Sequence, residues 1–268
     1  MSYKVYLRGT LNALEWSQVV WKFIEGRAVA VEECEQELLH RVLVERLPKD
    51  GVIVDAGCGT GRVPIYFQRL GYRFIGLEID HDACVIGKAN EPRLPLLQAD
   101  VRQIPLRSRS VDAVVSLGVV EHEEAGPLAA LREARRILKP HGLLVLAVPY
   151  NNLFRRVVVN HLQDYVTRRR RREGVDVRFA EYRFSKPEIS ALLQRSGFQV
   201  VAVYPNDALA PRTVGLWVDY NNLIDHDFAA SPPELYQLPG VAGHIASRML
   251  RWFPWLVCAE VAFIARAA

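Results

Sequence analysis

The chain reads as an α/β protein: a doubly wound, mostly parallel sheet of seven strands, with a helical N-terminal segment and two cap insertions. Three observations predict this. From position 52 onward, β-forming runs alternate with helical patterns of about 10–15 residues, the rhythm of βαβ units. The run Val52-Ile53-Val54-Asp55-Ala56-Gly57-Cys58-Gly59-Thr60-Gly61-Arg62 passes from three β-formers through an acid and a glycine loop into a helical pattern. In such sheets this turn holds a nucleotide-like ligand. The composition is that of an ordinary globular chain, 50% hydrophobic and 24% charged over 268 residues, long enough to bury a sizeable core.

Taken in order, residues 1–47 read as helical, on the spacing of Leu38, Leu39, Val42, Leu43 and Leu47. They form a segment expected to cover the ligand site, ahead of a domain spanning 48–268. Pro48-Lys49-Asp50-Gly51 is a turn. Strands follow at 52–55, 72–78, 95–99, 111–117 and 143–148. Gly71 stops the first helix, a second starts near Asp82, and Gly126-Pro127 opens a third that runs to Lys139. Ser185-Lys186-Pro187-Glu188 carries the signature of a capping box with proline in the first turn. The helix it opens ends at Gly197, before strands at 198–204 and 257–265. Two segments break the rhythm, 150–184 and 206–255, and are read as a lid and a cap inserted over the ligand face.

The glycine loop is neither of the commonest phosphate cradles. It lacks the G-x-G-x-x-G spacing of dinucleotide sites and the Gly-Lys-Ser/Thr of the P-loop. Asp55 at the strand end would repel a pyrophosphate but suits an ammonium group. Glu78 closes the second strand 23 residues after Asp55, where an acid can accept from ribose hydroxyls. Asp80 follows it, better placed to cap the next helix than to touch a ligand. Gln98-Ala99-Asp100-Val101 ends the third strand, and Val111 to His122 holds the fourth strand and its exit loop.

Read as a set, Asp55-Ala-Gly-Cys-Gly-Thr-Gly61, Glu78, Asp100, Val111-Asp-Ala-Val-Val-Ser116 and Leu138-Lys-Pro-His-Gly142 resemble the class I S-adenosylmethionine-dependent methyltransferases, with their Rossmann-like fold. The likeness is to the small-molecule branch that includes ubiquinone-biosynthesis O-methyltransferases. It covers residues 50–150 and again 182–204, through Phe184-Ser185 and Ser196-Gly197-Phe198. The resemblance implies S-adenosylmethionine as methyl donor and S-adenosylhomocysteine as product. Asp55 and the loop Gly57, Cys58, Gly59 and Gly61 would hold the methionine part. Glu78 with Ile79 would take the ribose, Asp100 and Val101 the adenine, and Leu117 and Gly118 the methyl-donor end. His141 stands where the family usually has glycine. Histidine tolerates positive φ better than most residues, so the turn is expected to survive.

The acceptor is less legible. The fourth strand ends in Ser116-Leu117-Gly118-Val119 rather than the Asp/Asn-Pro-Pro-Tyr of DNA amino-methyltransferases, which argues against base amination. Glu121-His122 exits that strand. His122 is the candidate base, histidine being the residue type whose unperturbed pKa lies near neutrality, with an orienting role as the alternative. Tyr150, Asn151 and Arg183 are the candidate substrate contacts. Residues 151–185 hold nine arginines against four acids, which brings an anionic acceptor, a membrane or RNA into view. No aromatic residues are interleaved through Arg168–Arg172, so a nucleic-acid groove is disfavoured. Trp252-Phe253-Pro254-Trp255 beside Arg248 and Arg251 suits either the core or a membrane interface. The expected reaction is methyl transfer to a small amphipathic or acidic metabolite, at oxygen, with an RNA or protein acceptor as the alternative. The net charge of +4 is mild, and the four cysteines lack metal-ligand spacing. No metal is called for. Without a signal pattern or a spanning apolar run, the chain is expected to be cytoplasmic.

Overall fold

A computed structural model describes residues 2–8, 31–224, 236–238 and 240–268. The strands are β1 Tyr3–Arg8, β2 Val52–Ala56, β3 Arg73–Glu78, β4 Leu96–Gln98, β5 Val111–Leu117, β6 Leu138–Pro149, β7 Val177–Arg183, β8 Phe198–Asn206 and β9 Glu260–Ala267. Seven of them form one sheet in the order β4-β3-β2-β5-β6-β9-β8, and β1 and β7 form a separate antiparallel pair. The neighbours from β4 to β6 are parallel, whereas β9 runs antiparallel to both β6 and β8. This is the expected doubly wound, mostly parallel seven-stranded sheet. The reversal of β9 matters for function. It sets Glu260, its first residue, beside Pro149 and Asn206, at the edge where the parallel strands end.

Alternation along the strands feeds two cores. Ile53, Phe74, Val115 and Val145 bury one face against Ile65 and Phe67 of helix Arg62–Arg69 and Leu43 of helix His40–Arg46. Val54, Leu77, Val114 and Leu146 bury the other against Leu131 and Ile137 of helix Leu128–Ile137 and Ile189 and Leu193 of helix Lys186–Arg195. Each such side chain removed from water contributes roughly 1.5–3 kcal/mol, so the sheet is held from both faces.

The expected punctuation is present. Asp80 caps helix His81–Asn90, its Oδ1 accepting from the Ala83 N–H at 2.9 Å. The Glu188 carboxylate accepts from the backbone N–H and the hydroxyl of Ser185. His141 adopts φ 63, as the turn requires. Helix Leu128–Ile137 stops two residues short of Lys139, because Leu138 already pairs with Val111 as the start of β6.

The N-terminal reading needs correction. Tyr3–Arg8 is a strand, not a helix: its residues alternate, Val5 is fully buried, and it pairs with β7 along its length. The helical spacing of residues 38–47 does not reach back to Tyr3–Arg8. Residues 31–47 do pack on helix Arg62–Arg69, through Glu37 to Arg62 at 2.6 Å and Glu35 to the Tyr66 hydroxyl at 2.9 Å. Residues 9–30 of the expected cover lie outside the described residues, as do 225–235 and 239 of the expected cap.

The two inserts are tied together by buried charge. Asp219, on helix Val214–Ile224, accepts from Arg155 at 2.8 Å through one oxygen and lies 2.8 Å from the Arg183 guanidinium through the other. Arg155 also donates to the carbonyls of Tyr150 and Ala259, anchoring the network to the sheet edge.

Candidate functional site

The site forms where the parallel strands end. Gly57, Gly59 and Gly61 all have positive φ, at 89, 55 and 85°. A side chain at Gly57 would place its Cβ 2.4 Å from Val119, so this loop accommodates only glycine there. The Gly57 and Cys58 N–H groups donate to Leu77 O, which pins the loop to β3. Gly61 then opens helix Arg62–Arg69 with no side-chain cap, leaving its first amides for a ligand.

Two carboxylates sit under this loop. Asp55 is buried, and no hydrogen bond reaches its carboxylate among the described residues. Burial and the neighbouring Glu78 charge push its pKa up to about 7, against the pull of Arg62. Such a carboxylate fits an incoming ammonium group, which supplies both charge and donors. Glu78 is held by three backbone donors: Gly59 N–H to Oε2 at 2.8 Å, and Ile79 and Asp80 N–H to Oε1 at 2.8 and 3.0 Å. Of its four acceptor positions one stays free, on Oε2. That fits one ribose hydroxyl rather than the two at once that the sequence suggests. Ile79 leaves 47% of its surface exposed beside this edge, an apolar side chain suited to a flat ring. Asp100 is clamped by the Arg102 guanidinium, which holds its pKa below the usual range. Arg102 reaches in turn to Glu123. Val101 is half-buried behind Asp100. These features together fit S-adenosylmethionine.

The opposite half centres on Gly118, which follows Leu117 at the end of β5 with φ 68. A Cβ there would lie 3.6 Å from Glu121 Oε1 and 3.7 Å from Glu260 Oε1. The missing side chain thus leaves a floor flanked by two carboxylates. Burial, reinforced by the Glu181 charge, pushes Glu121 up to about 8 against its backbone hydrogen bonds, and its Oε2 has no hydrogen-bond partner among the described residues. Burial and then Glu121 push Glu260 up to about 8, against the Asn206 amide that donates to it at 2.7 Å. Sequence reasoning missed Glu260. The only signal was an acid at the head of the apolar run Val261-Ala-Phe-Ile-Ala265.

His122 lies beside this floor. Its Nδ1 is 2.8 Å from Ala180 O on β7, and its Nε2 is 3.8 Å from Glu121 Oε1. A ring that donates to Ala180 through Nδ1 keeps Nε2 as an acceptor. Tyr150 closes β6, half-buried against Trp255. The other two substrate candidates are buried and engaged within the protein. Asn151 is buried and its Oδ1 accepts from Asn160. Arg183 is 0% exposed and belongs to the Asp219 network. The arginine run is likewise no uniform solvated face. Arg170 is buried, Arg169 pairs with Glu173, and Arg171 lies over the Tyr6 ring. The run closes helix Asn160–Arg172, where cations complement the helix dipole.

Residues 54–146 match the methyltransferase domain family. A probable S-adenosylmethionine-dependent methyltransferase of Mycobacterium tuberculosis is 31% identical over 115 residues, 41% of each chain. The tRNA (carboxymethyluridine(34)-5-O)-methyltransferase of Arabidopsis thaliana is 33% identical over 111 residues, 39% of this chain and 26% of that protein. The chain therefore spans about two fifths or less of the length of these relatives. Among solved structures, a chain from the Haloferax volcanii complex of the Trm112 methyltransferase activator with a methyltransferase superposes with TM-score 0.59. It covers 97% of this chain and 99% of that one at 18% identity, a likeness of fold.

Proposed function

We propose that the chain, whose residues 54–146 match the methyltransferase domain family, transfers the sulfonium methyl group of S-adenosylmethionine to an oxygen of a small organic acceptor. The donor supplies an already activated methyl group. The protein has to hold both partners in line and manage one proton. Asp55 takes the ammonium of the methionine part, Glu78 a ribose hydroxyl, and Asp100, Val101 and Ile79 surround the adenine. Gly118 leaves room where donor and acceptor meet.

The observation that carries the reading is the floor at Gly118, between Glu121 and Glu260. Groups that hold and release protons near neutrality stand there, with the His122 Nε2 acceptor alongside. This supports a hydroxyl acceptor whose proton leaves as the oxygen attacks. Tyr150 borders the acceptor, and the segment 150–184 acts as the lid over it. Small-molecule transfer is tested by incubating the protein with labelled S-adenosylmethionine and metabolite extracts, then identifying the labelled product. Binding of S-adenosylhomocysteine is measured separately by calorimetry. A protein that prefers NAD to either ligand refutes the reading.

The Arabidopsis relative, named for tRNA, favours a second reading in which the acceptor is RNA. The burial and pairing of Arg169, Arg170 and Arg171 weigh against a continuous phosphate-tracking groove. RNA binding that is steeply salt-dependent and lost on replacing Arg168 and Arg172 with Gln would favour it.

A further inference from the structure

One surface beside the acceptor side is apolar, basic and, among the described residues, uncovered. Leu153, Trp252, Phe253, Pro254, Trp255 and Leu256 line an open groove. Its rim exposes large side chains: Trp252 is 69% exposed, Phe253 65%, Leu153 55% and, one turn beyond it, Val157 62%. On helix Gly240–Trp252 the outer face runs through Val241, Ile245, Arg248 and Trp252, one cation among three large apolar side chains. Arg251 lies against the Trp252 ring. Arg156, Arg248 and Arg251 are exposed and make no ion pair among the described residues. Neither residues 151–163 nor residues 240–256 contain a single acid. The groove reaches the site through Trp255, whose ring packs edge-on to Tyr150 at 5.9 Å.

We propose that this face docks on an anionic lipid bilayer. Trp252, Phe253, Leu153 and Val157 would enter the interface, Arg156, Arg248 and Arg251 would meet the headgroups, and the Tyr150 mouth would open toward the lipid. Resting on the methyltransferase reading above, it makes the acceptor an amphiphile taken from the membrane. Aromatic side chains with polar rims prefer the headgroup level, and exposed apolar area of this kind is costly in water. The charge pattern chooses the lipid. Arginines without acidic neighbours are attracted by an anionic leaflet and indifferent to a zwitterionic one. A second copy of the chain would set these like charges against each other.

The test is co-sedimentation of the full chain with vesicles of phosphatidylcholine alone or mixed with phosphatidylglycerol. Each arginine at an anionic surface is worth roughly fivefold in partitioning, so the mixed vesicles should bind the protein at least about tenfold better. Arg248→Gln with Arg251→Gln should remove about that factor, and Trp252→Ser with Phe253→Ser at least as much. S-adenosylhomocysteine affinity, read by calorimetry on each variant, should stay unchanged and reports the fold. A folded protein that sediments with neither vesicle, or equally with both, overturns the proposal. So does a concentration-dependent dimer that Trp252→Ser dissolves, since that gives the face to a second copy. Vesicle binding without S-adenosylhomocysteine binding instead overturns the methyltransferase reading and, with it, the membrane-held acceptor.

Discussion

At the scale of single residues, Glu78 and His122 are where sequence and geometry pull apart. Glu78 was legible as a ligand acid from its distance to Asp55. Its three backbone donors were not, because they arise from the way the glycine loop folds back onto β3. Glu78→Gln should therefore do two things. Replacing a carboxylate acceptor by an amide should destabilise the fold by about 1–3 kcal/mol and weaken S-adenosylhomocysteine binding roughly tenfold. Thermal unfolding and calorimetry separate the two effects. Unchanged affinity in a destabilised variant would leave Glu78 as a loop clamp only. His122→Ala should cut turnover by ~10²–10⁴ at neutral pH, with donor affinity kept, if the Nε2 acceptor takes the proton. The rate should recover as pH rises and the acceptor ionises without help. Turnover near normal at pH 7 would return His122 to its bond with Ala180 and put the burden on Glu121.

Among the elements, the strands of the parallel half were readable because each is a short apolar run closed by a turn residue or an acid. Their observed limits match the expected ones to within one residue at either end, apart from β6, which already starts at Leu138. β1 was not readable. A lone alternating hexapeptide acquires its meaning only from β7, whose paired residues lie 169 to 180 positions further along the chain (Arg8 with Val177, Tyr3 with Arg183). Glu260 was hidden for a similar reason. No local pattern reveals that the last strand returns antiparallel and brings position 260 beside 118. The two segments expected as lid and cap stand out in the sequence as interruptions of rhythm, while the buried Arg155–Asp219–Arg183 network that joins them has no sequence signature at all. Its strength is testable. Asp219→Ala leaves two buried guanidinium groups without their carboxylate, a loss of about 3–5 kcal/mol. Reduced unfolding free energy in denaturant, with proteolytic cleavage appearing within 150–184 and 206–255 first, is the expected result. A change under ~1 kcal/mol would show that solvent reaches the network and replaces the ion pairs.

For the molecule as a whole, the acids around the cleft set a trade between stability and readiness for a cation. Asp55, with a folded pKa near 7, and Glu121 and Glu260, near 8, all lie above their unfolded values. The native state thus binds more protons than the unfolded state between roughly pH 4 and 8, and stability must fall as pH rises through that window. Asp100, Asp112, Glu133 and Glu188 are shifted the other way, by Arg102, by Lys139 and backbone donors, by Arg136 and by Ser185. Their contribution is present at neutral pH and disappears only as pH falls through the acid range. The free protein should accordingly be most stable near about pH 5 and lose melting temperature toward pH 8. A ligand that brings positive charge to Asp55 and Gly118 should reverse this loss. S-adenosylmethionine carries its sulfonium charge and S-adenosylhomocysteine does not, although both carry the ammonium. Both should therefore stabilise more at pH 8 than at pH 6 through Asp55, and S-adenosylmethionine should gain the larger increment through Glu121 and Glu260. Thermal shifts of the two ligands across this range, each at one concentration held constant at every pH, read the difference directly. Binding of S-adenosylmethionine should also release more protons than binding of its product, seen as a buffer-dependent binding enthalpy. Glu260→Gln should abolish most of the distinction between the ligands while preserving the Asp55 response. Equal, pH-independent shifts for both ligands would mean that the carboxylates beside Gly118 do not face the sulfonium, and the acceptor site would have to be sought elsewhere along the sheet edge.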